Sequence, residues 1–208
     1  WELAFTRVAG RPVSVGDGTA AVIGLLLGMM LPASMPWWGV LTGTFLAVVV
    51  ARQVYGGIGA NPFNPVAVAV AILMLSWKGR MDFDAALVNY PFDFPAVYYL
   101  TAVKAFGTGA IANVSLGDLL LGRQIGAIGC TFGLGLILGG VYLIARGVIR
   151  WEIPLSMLAG VAVTAFVFNQ VDPARFASPA FHLLTGYTLI GAFFLAPEDS
   201  SSVPTSPS

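Results

Sequence analysis

The sequence predicts an all-α protein that crosses a membrane several times. Of its 208 residues, 57% are hydrophobic and only 10% are charged, and the mean hydropathy is +0.84. Soluble domains carry about 25% charged residues, so this composition is typical of an integral membrane protein. The apolar residues also form separate stretches divided by glycine, proline and polar residues. A polytopic helical bundle is the fold class that these observations predict together.

Several apolar stretches approach the length of about 20 residues that a transmembrane helix needs. Four are long enough to span fully or nearly, and they lie near 36–55, 125–147, 152–170 and 179–196. Two others, Thr19 to Leu31 and Pro65 to Trp77, are shorter and are bounded by proline or glycine. Short, interrupted segments of this kind are typical of discontinuous helices beside a mid-membrane site. The alternative is a helix that is tilted or lies along the interface.

We expect one transmembrane domain over residues 1–199, followed by a polar tail over 200–208. Within it, the stretch of about 78–124 mixes charged residues with many aromatic ones, which favours a long aqueous or interfacial loop. The chain opens on Trp1 and ends in a run rich in serine and proline. We therefore expect it to be a piece of a longer subunit.

The composition also argues against several kinds of site. The net charge is zero and the basic residues are scattered, so no nucleic-acid partner is expected. Cys130 and His182 are the only residues of their types, which excludes an internal disulfide and a multi-histidine metal or haem site. We therefore predict no metal ligands, and any redox function would need an organic cofactor or partner subunits.

The stretch from Gly56 to Pro65, Gly-Gly-Ile-Gly-Ala-Asn-Pro-Phe-Asn-Pro, lies between two of the apolar runs. Its glycines and prolines cannot continue a regular helix. A broken backbone at membrane depth is tolerated only where it faces protein or a water-filled cavity. Asn61 and Asn64 would offer hydrogen-bond donors and acceptors at such a place. The alternative is an interfacial loop in which these asparagines cap the helix that begins near Pro65.

A second glycine-rich element is similar to the first. Residues 126–131, Gly-Ala-Ile-Gly-Cys-Thr, repeat the Gly-x-Ile-Gly-x-polar pattern of residues 56–61. This echo favours an internal repeat with paired broken helices. The GxxxG spacings Gly129/Gly133 and Gly135/Gly139 also predict close helix packing.

These motifs carry a family resemblance. The stretch 56–65 is similar to the GGxGxNxFNP signature of the RnfD/NqrB family, and RnfD is the closer of the two. Other stretches fit the family in the same order along most of the chain: residues 11–21, Pro36-Trp37-Trp38, residues 126–131, Trp151-Glu152-Ile153-Pro154 and residues 191–196.

The resemblance implies a subunit of an Rnf-type complex in the cytoplasmic (inner) membrane of a prokaryote. Such a complex passes electrons between ferredoxin and NAD and couples this to Na⁺ or H⁺ transport, and the subunit acts with flavin-, iron–sulfur- and NADH-binding partners. The implied fold is an inverted-repeat bundle related to urea and ammonium channels. The implied cofactor is FMN or riboflavin, with no catalysis by the subunit alone. A small-solute channel or transporter, and a structural subunit that has lost its flavin, remain the alternatives.

One departure from the family concerns how the flavin is held. The family attaches FMN by a phosphoester to the last threonine of an Asp-x-x-(Ser/Thr)-(Gly/Ser)-Ala-Thr run. The nearest match here runs from Tyr98 to Lys104, and a lysine cannot form that ester. We therefore predict a non-covalent flavin, with Thr101 and Thr108 as the nearby hydroxyl groups.

The resemblance and the two glycine elements together define a predicted flavin site. Asn61 and Asn64 would meet the polar edge of the ring, Phe63 would offer an aromatic face, and Gly57 and Gly59 would allow close approach. Arg123, Gly129 and Thr131 would form a second flavin-facing wall opposite the asparagine motif. Lys104 would stabilise an anionic flavin or its phosphate, and Thr101 would be a nearby hydroxyl. For Lys104 the alternative is a solvated loop lysine, and for Arg123 and Thr131 it is an interfacial anchor and a helix-internal hydroxyl.

Overall fold

In a computed structural model of the chain, all regular structure in the described residues is helical. The described residues are 1–10, 15–57, 60–83, 93–94 and 97–198, and they contain no strand. The prediction of an all-α chain is confirmed for them. The chain divides into two compact units, one made of Trp1–Met81 with Glu198–Ser208 and the other of Asp82–Pro197. The predicted polar tail, 200–208, lies outside the described residues.

The helices of the first unit pack closely through a glycine. They are α1 (Glu2–Val8), α2 (Thr19–Met30), α3 (Trp37–Phe45, continuing as the π-helix Leu46–Gln53) and α4 (Pro65–Ser76). A Cβ atom on Gly43 of α3 would lie 2.9 Å from the side chain of Leu73 and 3.1 Å from that of Leu27. Only glycine lets α3 approach α2 and α4 this closely. The predicted segments at 19–31, 36–55 and 65–77 are confirmed as helices.

The second unit contains helices inside the predicted long loop. They are α5 (Tyr99–Phe106), α6 (Leu116–Leu120), α7 (Gly133–Ala145), α8 (Glu152–Val171), α9 (Pro179–Leu184) and α10 (Thr188–Ile190, continuing as the π-helix Gly191–Leu195). Helices α5, α6 and α9 share a core of Tyr99, Val103, Leu119, Ala177 and Phe181. The loop is therefore partly folded onto the helix that follows α8.

Two of the predicted long helices are shorter in the structure. Residues 125–132 form turns, with the N–H of Cys130 bonded to the carbonyl of Ala127, and α7 begins only at Gly133. The stretch 179–196 is broken after Leu184, where Thr185 is extended and Gly186 has a φ of +64°. A left-handed glycine ends the helix there, since other residues adopt that conformation only at a cost.

Among the helices of the described residues, only α8 is long and apolar enough to cross a membrane. Helices α2, α4 and α7 are apolar but shorter. Two of the glycines predicted for close packing, Gly133 and Gly139, face α10: a Cβ atom on either would lie 3.3 Å from Leu189 or Phe194 respectively. A Cβ atom on Gly140 would overlap the ring of Phe193. Helix α7 therefore packs on α10 through its glycine-lined side.

Candidate functional site

The first glycine element begins where the π-helix of the first unit ends. The N–H groups of Gly56 and Gly57 donate to the carbonyls of Gln53 and Arg52, both at 3.2 Å. Their φ angles of +117° and +101° require glycine. A Cβ atom on Gly57 would meet no atom of the described residues within 4 Å, so they leave open space beside this backbone. Gly59 lies outside the described residues.

Asn64 is the N-cap of α4. Its Oδ1 accepts hydrogen bonds from the N–H groups of Val66 at 2.9 Å and Ala67 at 3.1 Å, and Pro65 occupies the first helical turn. Its Nδ2 donates to Oε2 of Glu198 at 2.9 Å. Both ends of this amide are therefore occupied within the first unit. The capping role considered as an alternative from the sequence is the one that Asn64 has.

Asn61 differs from Asn64 because its acceptor is left open. Its side chain is 5% exposed, and its Nδ2 donates to the carbonyl of Phe63 at 3.4 Å. Its Oδ1 is buried and accepts no hydrogen bond within the described part of the chain. An unsatisfied buried acceptor costs about 1–3 kcal/mol, so this atom is suited to a donor on a ligand. The ring of Phe63, two residues away, is 69% exposed and could cover such a ligand.

A buried charge cluster, which the sequence did not reveal, supports this turn. Arg52 is 1% exposed, and its guanidinium contacts Oε1 of Glu2 and Oδ2 of Asp17, both at 3.4 Å. Gln53 also donates to Oε1 of Glu2, at 3.2 Å. The backbone N–H of Thr19, together with Arg52, holds the pKa of Asp17 below its usual value. The cluster thus ties α1 and the start of α2 to the end of the π-helix that precedes the glycine turn.

One feature of the sequence could have pointed to this buried cluster. An Arg-Gln pair precedes both glycine elements, as Arg52-Gln53 and as Arg123-Gln124. Both glutamines are buried. In the second unit, Nε2 of Gln124 donates to three carbonyls, those of Leu119 and Thr131 at 3.1 Å and that of Leu184 at 2.9 Å. A buried glutamine therefore anchors the backbone beside the second glycine element, whereas Gln53 beside the first element donates to the carboxylate of Glu2.

The predicted residues around the second element have separate environments. Arg123 is exposed and forms an ion pair with Asp118 at 3.1 Å, as expected for an anchor at the surface. Gly129 is half-buried in the turn that precedes α7. Thr131 contributes its carbonyl oxygen to the hydrogen bonds of Gln124. Gln124 thus brings Thr131 next to α6 and α9, whereas Arg123 is directed to Asp118.

Thr101 and Lys104 both lie on α5 and are exposed, and Lys104 borders a cavity. This cavity has a volume of about 240 Å³, and its wall also includes Arg175 and His182. The hydroxyl of Thr108 is engaged elsewhere, since it donates to the carbonyls of Pro173 and Ala174 at 3.0 Å. Of the two hydroxyls considered for a covalent bond, that of Thr101 is the more accessible.

Comparison with known proteins gives the family. The chain matches the NQR2, RnfD, RnfE family over residues 1–208. It is 39% identical to the D subunit of the ion-translocating oxidoreductase complex of Halorhodospira halophila, over 98% of this chain and 66% of that protein. It is 34% identical to the D subunit of the Na⁺-translocating ferredoxin:NAD⁺ oxidoreductase complex of Acetobacterium woodii, over 98% and 62%. It is also 34% identical to the D subunit of the proton-translocating ferredoxin:NAD⁺ oxidoreductase complex of Clostridium ljungdahlii, over 95% and 62%.

The chain spans a little less than two thirds of the length of these curated relatives. The family match nevertheless covers all of its residues, including the asparagine signature at 56–65. The resemblance inferred from that signature and from the order of the other motifs is confirmed: the chain belongs to the NQR2, RnfD, RnfE family.

Proposed function

We propose that this chain is the larger part of a multi-pass D-type subunit of an Rnf-type complex in the cytoplasmic membrane of a prokaryote. The complex would relay electrons between ferredoxin and NAD and couple this to ion transport, together with flavin-, iron–sulfur- and NADH-binding subunits. Family membership over the whole chain is the observation that carries this proposal. The transported ion is left as Na⁺ or H⁺, because relatives named for each ion are 34% identical to the chain.

The proposal that the protein binds a flavin rests on how the first glycine element, residues 56–65, fits a flavin ring. The polar edge of a flavin ring presents an N–H group between two carbonyls, and Oδ1 of Asn61 is a buried acceptor without a donor in the described residues. The open space beside Gly57 and the exposed ring of Phe63 would admit and cover a planar group. A bound flavin supplies the electron-carrying chemistry, whereas the protein supplies binding and orientation. We propose FMN or riboflavin, held without a covalent bond because Lys104 stands at the usual attachment position.

We also propose that the fold is an inverted repeat related to the urea and ammonium channels. Support comes from the two glycine elements, each of which follows an Arg-Gln pair with a buried glutamine. Both elements interrupt helical structure, as the paired broken helices of an inverted repeat do.

The experiment that tests the function is a flavin assay on the purified protein, by absorbance and fluorescence before and after denaturation. We expect flavin that is released on denaturation. Flavin retained by the polypeptide would contradict the non-covalent site and direct attention to Thr101. A protein without any flavin would contradict the proposal, and solute flux in liposomes would then separate a channel from a structural subunit.

Asn61→Ala is expected to weaken flavin binding, because it removes the acceptor for the ring N–H. The loss of one hydrogen bond of about 1–2 kcal/mol corresponds to roughly 5- to 30-fold weaker binding. Flavin titration by fluorescence measures this. Asn64→Ser is the matched control, since serine keeps an N-cap acceptor for α4, and its flavin affinity should match wild type. Equal affinity in Asn61→Ala and wild type would show that Asn61 has only a structural role.

A further inference from the structure

A groove along α8 and a smaller cavity beside the end of that helix adjoin in the second unit. The groove has a volume of about 460 Å³, and its wall includes Gly160, Thr164 and Phe168 of α8. The cavity has a volume of about 240 Å³ and is bordered by Lys104 and Arg175. Three residues belong to both walls, and they are Leu100, Phe176 and His182. One elongated molecule can therefore lie across both spaces, with different chemical groups in each.

Helix α8 sets the depth of these two spaces in a membrane. It contains 20 residues, from Glu152 to Val171, and a rise of about 1.5 Å per residue gives a length of about 30 Å, the thickness of a hydrocarbon core. Arg175, in the loop after this helix, is therefore expected at the level of the lipid headgroups. From Phe168 to Gly160 the groove follows α8 for about 12 Å toward the middle of the hydrocarbon core.

The smaller cavity is suited to an anionic group. Lys104 and Arg175 form no salt bridge with any residue in the described ranges. Asp172 lies close to Arg175 in the chain, but its Oδ1 accepts the backbone N–H groups of Ala174 and Arg175. Both cationic side chains are exposed at this cavity. Two cations that border one small space attract a phosphate group, to which both can donate charge-assisted hydrogen bonds.

The fold holds Lys104 at the same depth as Arg175. Lys104 lies in the last turn of α5, and Gly107 directly follows that helix. The N–H of Thr108 donates to the carbonyl of Ala174 at 2.8 Å, and its hydroxyl donates to the same carbonyl. The loop after α8 is thereby tied to the end of α5, so both cations border the cavity at the headgroup level.

The wall of the groove presents mainly apolar surface. Helix α8 contributes Val161, Ala165 and Phe168 to it. The hydroxyls of Thr185 and Thr188, which also lie in the wall, donate to backbone carbonyls of the same unit, both at 2.8 Å. These two hydroxyls are therefore satisfied within the protein and do not need a polar ligand. An apolar chain is the kind of ligand group that this surface suits.

We propose that the groove and the cavity together bind one anionic phospholipid, such as phosphatidylglycerol, with its phosphate at Lys104 and Arg175 and an acyl chain along α8. A free phosphate would leave the apolar groove unused. A zwitterionic lipid carries its own cation next to the phosphate, and that cation would be repelled by the two side chains. Basic pockets beside membrane-spanning helices bind the headgroups of anionic lipids in the same way. The site lies entirely within the second unit and is separate from the flavin site proposed at Asn61.

The test of the headgroup site compares phosphatidylglycerol with phosphatidylcholine of the same acyl chains. The purified protein is incubated with equal amounts of both in a non-ionic detergent, and the retained lipid is identified by native mass spectrometry. We expect phosphatidylglycerol to be retained in about tenfold excess or more. In Lys104→Gln/Arg175→Gln the excess should fall to about onefold, because the attraction for the anionic headgroup is removed. Arg146→Gln/Arg150→Gln removes the same charge at the other end of α8 and should keep the preference.

The test of the groove is Gly160→Leu. A Cβ atom on Gly160 would meet no atom of the described residues within 4 Å, so the leucine can be accommodated and occupies space in the groove. We expect several-fold weaker retention of phosphatidylglycerol, because the acyl chain loses part of its place. Val163→Leu is the matched control, since Val163 lies on the same helix, is 63% exposed and is not part of the wall. It should retain the lipid as the wild type does.

Several results would overturn this inference. Equal retention of the two lipids by the wild type, or a preference that survives in Lys104→Gln/Arg175→Gln, would exclude the headgroup site. Unchanged retention in Gly160→Leu would exclude the acyl chain from the groove. Displacement of the lipid by inorganic phosphate would indicate a site for a free anion, and retention of neither lipid would leave the groove to a protein segment. Loss of flavin together with the lipid in Lys104→Gln/Arg175→Gln would assign the two cations to the flavin instead.

Discussion

Arg52→Met is expected to destabilise the protein by about 3–5 kcal/mol, because it breaks a buried ion pair with Glu2 by removing one partner. Glu2 is only 4% exposed, and both of its contacts in this cluster come from the end of the π-helix, Arg52 and Gln53. A buried charge that loses its partner keeps its full desolvation cost. Thermal unfolding in detergent, followed by circular dichroism, measures the loss.

Arg123→Met is the matched control for Arg52→Met. It removes the same group from the ion pair with Asp118, whose side chain is 40% exposed, and should cost at most about 1 kcal/mol. The double variant Arg52→Met/Glu2→Gln should recover part of the stability, because it removes the uncompensated charge as well. If Arg52→Met is no more destabilising than Arg123→Met, the cluster is hydrated and contributes little. Weaker flavin binding in Arg52→Met/Glu2→Gln would further link the cluster to the glycine turn.

Gly107→Ala is the second substitution with a large expected effect, about 2–4 kcal/mol. Gly107 has a φ of +74° and a ψ of −169°, a conformation essentially restricted to glycine, which costs an L-residue about 1–3 kcal/mol. Its Cβ atom would also lie 2.6 Å from the carbonyl oxygen of Ala174, so the loop after α8 has to move. Overpacking of this kind typically costs about 1–3 kcal/mol. Thermal unfolding in detergent, followed by circular dichroism, measures the loss of stability.

Gly147→Ala separates the two causes. Gly147 also follows a helix and has a φ of +69°, but a Cβ atom there would meet nothing within 4 Å. It should therefore show only a conformational cost. Equal losses of stability in Gly107→Ala and Gly147→Ala would mean that the backbone at Ala174 moves away from the added Cβ atom at no cost in free energy.

Local sequence patterns were sufficient for much of the fold. Asn64 before α4 and Pro65 as its first residue, together with Gly18 before α2, set the starts of those helices. The apolar run 152–170 matches α8 closely. The signature at 56–65 was specific enough to identify the family. In contrast, Gly186 divides the apolar run 179–196 although its composition suits one helix. The break depends on the left-handed conformation of Gly186, which the hydrophobicity of the segment does not indicate.

The candidate sites, like the fold, could be predicted from the sequence only in part. The two asparagines of the signature look equivalent in sequence, yet Asn64 caps α4 and contacts Glu198, while Asn61 keeps a buried open acceptor. Arg52 looks like an interfacial cation and is in fact buried against Glu2 and Asp17. These differences depend on partners far apart in the chain, which no local pattern specifies.

The sequence by itself determined the helical membrane class, the positions of the short apolar helices and the family, because composition, helix caps and a contiguous motif are local properties. Only the tertiary structure decided which polar side chains are buried, paired or open, and which distant cations border one cavity. Lys104 and Arg175 share a cavity because Gly107 permits the close approach of Ala174. Such pairings arise from packing between helices, and packing is a property of the whole fold.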